Sequence, residues 1–282
     1  MRRLASLVLA ILALLPACAQ SEPQAANLLP ARTVSAAGFD FTEVQRAVDR
    51  FLEAYAHSSE NIEALERAVG GSDMREWVHW LDVQNQEVSL EGQVELGRVR
   101  VLEISGEFAA AGVDAAVRFT LPDGQMLIRR FESPFFLTKH GPGGSWVVHD
   151  AVRDGRSMQE SIGVVRPPAR ARGERASIEV SSVFRFTAGT LVNVVVSNEG
   201  DRPVRVDPET STLETTALPA PGRATNPALR EPIEPHDSVE GMIEFPPLLL
   251  EQQPQTFTLA FVGDSHEPIR VPLPPEAFAE QP

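Results

Sequence analysis

From residue 40 onward, apolar residues recur at intervals of three and four: Phe41, Val44, Val48, Phe51, Leu52 and Tyr55 lie on one face of a helix. Thr42 followed by Gln45 has the form of a capping box, in which the hydroxyl meets an orphan amide and the glutamine side chain reaches back. A second helix is expected to start near Ser59 and to carry Ile62, Leu65 and Val69 until Gly70-Gly71, which can adopt the left-handed conformation that closes helices. A third, shorter helix puts Met74, Trp77, Val78 and Leu81 on a shared face; Trp80 falls off that stripe, so it either lines a pocket mouth or packs on a second folded unit. After Asn85 the period drops to two, with Val99 and Val101, then Val113, Ala115, Val117, Phe119 and Leu121 alternating as strand residues do. Turn signals at Pro122-Asp123-Gly124 and at Gly141-Pro142-Gly143-Gly144 bound a strand over 125–137, and a last strand is expected over 145–153. Helices followed by an antiparallel meander predict an α+β unit over 39–156, with the helices on one sheet face.

The second half carries a different pattern. Residues 157–175 lose periodicity and hold Arg166, Pro167, Pro168, Arg170, Arg172 and Arg175, which predicts a semi-rigid linker. Its arginines are expected to be solvated, with docking on acidic surfaces or contact with lipid headgroups as the other options. Beyond it, short Val-, Ile- and Phe-rich runs at 178–186, 191–198, 204–207, 240–245, 256–262 and 269–273 predict a two-sheet sandwich over 176–275, leaving 276–282 as a tail. Between two of these runs lies a stretch, 208–237, rich in Pro and Thr. Loops of that length are uncommon inside a domain, so it is either a contact surface for a partner or hides an edge strand around 211–216.

The N-terminus sets the compartment. Arg2 and Arg3 precede an apolar run from Leu4 to Leu15, about a dozen residues where a membrane-crossing helix needs roughly 20. The run ends Leu15-Pro16-Ala17-Cys18, and Cys18 is the only cysteine. This resembles the bacterial lipoprotein signal, which implies removal of residues 1–17 and acylation of Cys18, with the bilayer as partner. Residues 18–38 then form a lipidated tether, of roughly 25 Å root-mean-square reach for about 20 flexible residues. Ala19 is not the Asp that resembles an inner-membrane retention signal, so in a host with an outer membrane that membrane is the expected destination, on its periplasmic face. With Cys18 acylated, no thiol is left for disulfides, metal ligation or catalysis.

Charge and missing motifs narrow the chemistry. With 25 basic against 39 acidic residues the chain carries a net charge of −14, which disfavours unaided nucleic-acid binding through phosphate neutralisation, so no nucleic-acid partner is expected. No phosphate loop, HExxH, CxxC, GxSxG or calcium loop is present. The histidines show no i, i+4 pair for zinc, and no cofactor is expected.

The order and size of the first unit resemble the nuclear-transport-factor-2-like or cystatin-like fold, a curved sheet around a long helix. That resemblance implies a cone whose candidate lining is Phe51, Tyr55, Trp77, Phe119 and His149. His149 shares a strand face with Val147 and Ala151, with Asp114 and Tyr55 as possible companions; the simpler reading is a hydrogen-bonded histidine at a sheet rim. In the second unit, Val194-Val195-Val196-Ser197-Asn198-Glu199-Gly200-Asp201, followed much later by Gly241-Met242-Ile243-Glu244-Phe245-Pro246, resembles the immunoglobulin-like extracytoplasmic domains of bacterial lipoproteins. The expected whole is an α+β cone followed by an immunoglobulin-like sandwich, anchored at the cell envelope as a non-catalytic binding or assembly module. Its partner would be an envelope protein or a small apolar ligand. Two rivals stand beside it: a small-molecule or lipid carrier using the cone's cavity, and a cavity enzyme with His149 as general base.

Overall fold

A computed structural model describes residues 41–85, 90–121, 123–140, 144–225, 227–263 and 267–278. Residues 40–282 belong to one unit. The described residues begin with three helices, α1 (Phe41–Ala56), α2 (Ile62–Ala68) and α3 (Ser72–Asn85). In α1 the predicted stripe is the buried face: Val44, Val48, Phe51, Leu52 and Tyr55 are all buried. The amide of Gln45 donates to Val99 O (3.4 Å), a contact across the fold rather than back along the helix. Helix α2 starts later than Ser59. Its N-cap is Asn61, whose side chain accepts from Ala64 N (3.2 Å), while the Ser59 hydroxyl donates to Leu90 O (2.6 Å). Gly71, at φ +77°, makes the turn into α3, which runs to 14 residues and is longer than its apolar stripe predicts.

Six strands follow: β1 (Glu91–Leu96), β2 (Arg100–Ser105), β3 (Phe108–Gly112), β4 (Asp114–Thr120), β5 (Met126–Lys139) and β6 (Trp146–Arg153). All pair antiparallel, in the order β1-β4-β5-β3-β2, with β6 along the other edge of β5. Strand β5 serves two neighbours in turn, pairing with β4 over its first half and with β3 over its second. The register on β6 shifts between Glu132 and Phe135 and again between Phe136 and Leu137. The second shift leaves His149 as the extra residue, because Phe136 faces Asp150 while Leu137 faces Val148. A bulge of this kind breaks the simple alternation: Ala151 packs in the core beneath the helices, while Val147 and His149 both stand against Gly70 in the α2–α3 turn. Asp154-Gly155, both with positive φ, turn β6 into β7 (Arg156–Ser157), the Asp-Gly pair that two-residue hairpins favour.

The expected linker is structure. A single helical turn, α4 (Met158–Ser161), leads into β8 (Ile162–Arg172), which pairs along β9 (Ala176–Arg185). The register breaks between Val164 and Ala169, across Pro167 and Pro168. Prolines cannot donate to a ladder and are confined to edges and irregularities, and β8 is the edge of its sheet. The remaining strands are β10 (Thr190–Asn198), β11 (Val206–Thr215), β12 (Ala220–Pro221), β13 (Ala224–Thr225), β14 (Ser238–Phe245), β15 (Pro254–Phe261) and β16 (Ile269–Pro272). They form one sheet in the order β13-β14-β10-β9-β8 and a second in the order β12-β11-β15-β16. The stretch 208–237 therefore contains the hidden strand, β11, continued by two short strands and a 3-10 turn at Pro227–Leu229.

Two cores hold this arrangement. In the first, α1, α2 and α3 pack on the inner face of the seven-stranded sheet through residues such as Phe51, Leu65, Val78, Val117 and Phe135. In the second, Val180, Val194 and Ile243 of one sheet meet Leu213, Phe257 and Val271 of the other, which is the packing of a two-sheet sandwich. Core packing crosses the expected boundaries at 157, 175 and 275. Phe184 and Met242 of the sandwich belong to the first core, and Phe278, read as tail, is buried in the second. The chain is thus mostly β with antiparallel sheets, helices first and paired sheets after. Among the described residues no helix is long and apolar enough to cross a membrane.

Candidate functional site

The rings expected to line a cavity pack on one another. Phe51, Tyr55, Trp77 and Phe119 are each at most 5% exposed. Tyr55 sits at their centre, 5.6 Å from Trp77, 5.4 Å from Phe119 and 5.5 Å from Phe131 between ring centroids. Phe51 meets Phe131 and Phe135 edge-on, both at 5.8 Å. Edge-to-face contacts of this kind add to the burial of the rings. Arg153 closes the cluster toward the sandwich, its guanidinium 4.0 Å from the Phe186 ring and 5.8 Å from that of Trp77. Burial lowers its pKa; the Tyr55 hydroxyl, to which it donates, acts the other way.

His149 is half-buried outside this cluster. It lies against the α2–α3 turn, where a Cβ added to Gly71 would come within 2.8 Å of its ring. Asp114, its expected companion, is exposed on β4, so the structure does not bring His149, Asp114 and Tyr55 into one constellation. Among the described residues no three His, Cys, Asp or Glu side chains are grouped to hold a metal. Cys18 and its neighbours Leu15, Pro16 and Ala17 lie outside the described residues.

What the sequence did not disclose is a polar seam between α3 and the sandwich. Trp80 resolves to the second of its two readings. It is 2% exposed and its indole N–H donates to Glu76 Oε1 (2.8 Å) and to Ser181 Oγ (3.0 Å). The same carboxylate oxygen accepts from the hydroxyls of Ser181 (2.8 Å) and Ser182 (3.0 Å). Asn193 Nδ2 donates to Ser182 Oγ (2.9 Å), while Asn193 Oδ1 is buried without a partner among the described residues. Arg166, read as a solvated linker charge, instead donates to Asp73 at the start of α3 (2.9 Å), and Arg170 and Arg172 pair with Glu179 and Glu199. Two further arginines cross the junction through carbonyls. Arg156 donates to Arg185 O and Leu248 O, and Arg185 to Leu250 O and Glu160 O. Burial, followed by the charge of Arg156, lowers the Arg185 pKa. No periodicity marks these residues, and the pairs that tie α3 to the sandwich are distant in sequence, Ser181 with Glu76 at 105 positions and Arg166 with Asp73 at 93; an off-stripe tryptophan is the one local signal.

Among the described residues, two of the surface clefts have charged linings. One, of about 410 Å³, lies over β8, β9 and β10, and its charges are internally matched, Arg170 with Glu179 and Arg172 with Glu199. The other, of about 510 Å³, is lined by Glu66, Arg67, Val69, Arg75 and His140. Its floor is fixed to the sheet, because Val69 bridges to Val148 and Gly70 N donates to Val148 O (2.8 Å). The fold therefore defines a mixed, predominantly β protein with charged surface clefts and a polar junction between its helices and its second pair of sheets. No family model, curated protein or solved structure matches the chain.

Proposed function

We propose that this protein is an acyl-anchored lipoprotein of the bacterial envelope, a non-catalytic binding or assembly module that presents a fixed surface to a partner outside the cytosol. The observation that carries the reading is the register of its first 18 residues: Arg2-Arg3, a short apolar run, then Leu15-Pro16-Ala17-Cys18. Each acyl methylene contributes roughly 0.8 kcal/mol of membrane affinity, so two or three chains on one sulfur and its amine hold a protein at the bilayer. The order of elements supports a nuclear-transport-factor-2-like first part, with a 16-residue helix against an antiparallel sheet. Two packed antiparallel sheets support an immunoglobulin-like second part. The seam at Glu76 and the pair Arg166–Asp73 support a module that works as a single piece, because partners seeing both parts would then meet a preformed surface.

Fractionation of cells expressing the chain and its Cys18→Ser variant tests this. The wild type is expected in the membrane pellet, released by detergent and not by salt, with an intact mass showing loss of residues 1–17 and added acyl chains. The variant is expected to lack the acyl mass. A wild-type chain recovered in the soluble fraction with Cys18 unmodified would overturn the proposal.

A further inference from the structure

We infer that the cleft between α2, α3 and the end of β5 is a binding site for a small molecule bearing an oxyanion group, carboxylate or phosphate. The inference holds whether or not Cys18 is acylated. In a chain of net charge −14, the side chains of Arg67, Arg75 and His140 converge on one depression of about 510 Å³, within the size range of small-molecule sites. Other arginines of the surface are paired with carboxylates, Arg118 with Glu95 at 2.8 Å and Arg270 with Glu214 at 2.8 Å. Among the described residues no ion pair or side-chain hydrogen bond holds Arg67, Arg75 or His140.

The two carboxylates beside Arg75 on α3 already have donors: Glu76 Oε1 accepts from Trp80, Ser181 and Ser182, and Asp73 Oδ1 accepts from Arg166 at 2.9 Å. Guanidinium groups bind carboxylate and phosphate through paired N–H donors, and two of them, Arg67 from α2 and Arg75 from α3, line this cleft. The walls are preorganised. Val69 and Gly70 are hydrogen-bonded or bridged to β6. A Cβ at Gly70 would come within 2.8 Å of Val147, so the turn is pressed onto the sheet. Glu66 is the one carboxylate on the lining; it opposes a bare anion and favours a ligand that also carries a hydrogen-bond donor or a positive group.

Calorimetric titration of the full chain in detergent, at low ionic strength, with citrate, inorganic phosphate and glycerol 1-phosphate as separate probes, tests this. At least one probe is expected to bind saturably, weakening with added salt. Arg67→Gln/Arg75→Gln is expected to weaken it roughly tenfold or more, Glu66→Gln to tighten it, and Arg118→Gln to leave it unchanged. All these side chains are exposed, and matching thermal melts would confirm that the variants fold. Preference for glycerol 1-phosphate over inorganic phosphate would assign the oxyanion to a lipid headgroup; preference for citrate or inorganic phosphate would assign it to a soluble acid. No saturable uptake of any probe, or equal affinity in the double-arginine variant and the wild type, would overturn the inference.

Discussion

Asp49 shows how one side chain sets a dependence on pH. It lies on the flank of α1, half-buried, one turn before Glu53. Burial raises its pKa above the ordinary 3.8, Glu53 raises it further, and Arg50 pulls it back. A carboxyl whose folded pKa exceeds its unfolded value binds more protons in the folded state across the interval between the two. Stability therefore falls as pH rises through that interval, and the ionised form is a net cost at neutral pH. Asp49→Asn removes the charge and keeps the shape. It is expected to stabilise the protein at pH 7 by about 0.5 kcal/mol, the size of a like-charge pair one helical turn apart, with the gain shrinking as pH falls toward 3.8. Urea melts of both proteins at pH 7 and near pH 4 check this; an equal gain at both values would assign the effect to something other than ionisation.

At the scale of the element, legibility followed periodicity. Helices α1 and α3 could be read because their buried residues recur at helical spacing, and β4 because Ala115, Val117 and Phe119 alternate cleanly. Strand β8 was hidden by Pro167-Pro168, which signal a linker unless the strand is known to lie at an edge. Strand β1 was hidden for a different reason. Glu91, Gly92, Gln93 and Glu95 offer no apolar alternation, because the strand's contact with α1 is made by backbone. A Cβ on Gly92 would stand 2.5 Å from Ala56 O and 2.8 Å from the Phe119 ring. Gly92→Ala must therefore push β1 away from the end of α1. It is expected to cost about 1–3 kcal/mol, as overpacking of a core does, whereas alanine in an ordinary strand position would be tolerated or favoured over glycine. The midpoint of denaturant unfolding measures it, and an unchanged midpoint would mean that β1 does not rest on α1 as closely as described. The polar seam was illegible on any pattern, since Glu76, Ser181, Ser182 and Asn193 acquire meaning only when the sheet is placed against α3.

For the whole molecule the question is whether two cores behave as one. Interfaces between parts of one chain commonly permit relative motion unless they are large and apolar. Here the first core continues into the sandwich through Phe184 and Met242, and the seam adds hydrogen bonds that only the assembled pair can satisfy. The Glu76 carboxylate is the hub, with three donors on a single oxygen. Glu76→Ala leaves the Trp80 indole and two serine hydroxyls without that acceptor, two of these groups on the sandwich, whereas Glu76→Gln retains a carbonyl in its place. A buried donor without a partner costs about 1–3 kcal/mol, and at this chain length each kcal/mol lowers the melting temperature by roughly 2–4 °C. Calorimetry of the wild type is therefore expected to show one transition. Glu76→Ala should melt several degrees lower and broaden or split, as the helical part loses its hold on the sheets, with Glu76→Gln falling between. If Glu76→Ala melted as the wild type does, the seam would contribute nothing to cohesion, and apolar contact through Phe184 and Met242 would have to account for it alone. Two separate transitions in the wild type would mean that the parts unfold independently and that the preformed surface invoked for binding does not depend on their junction.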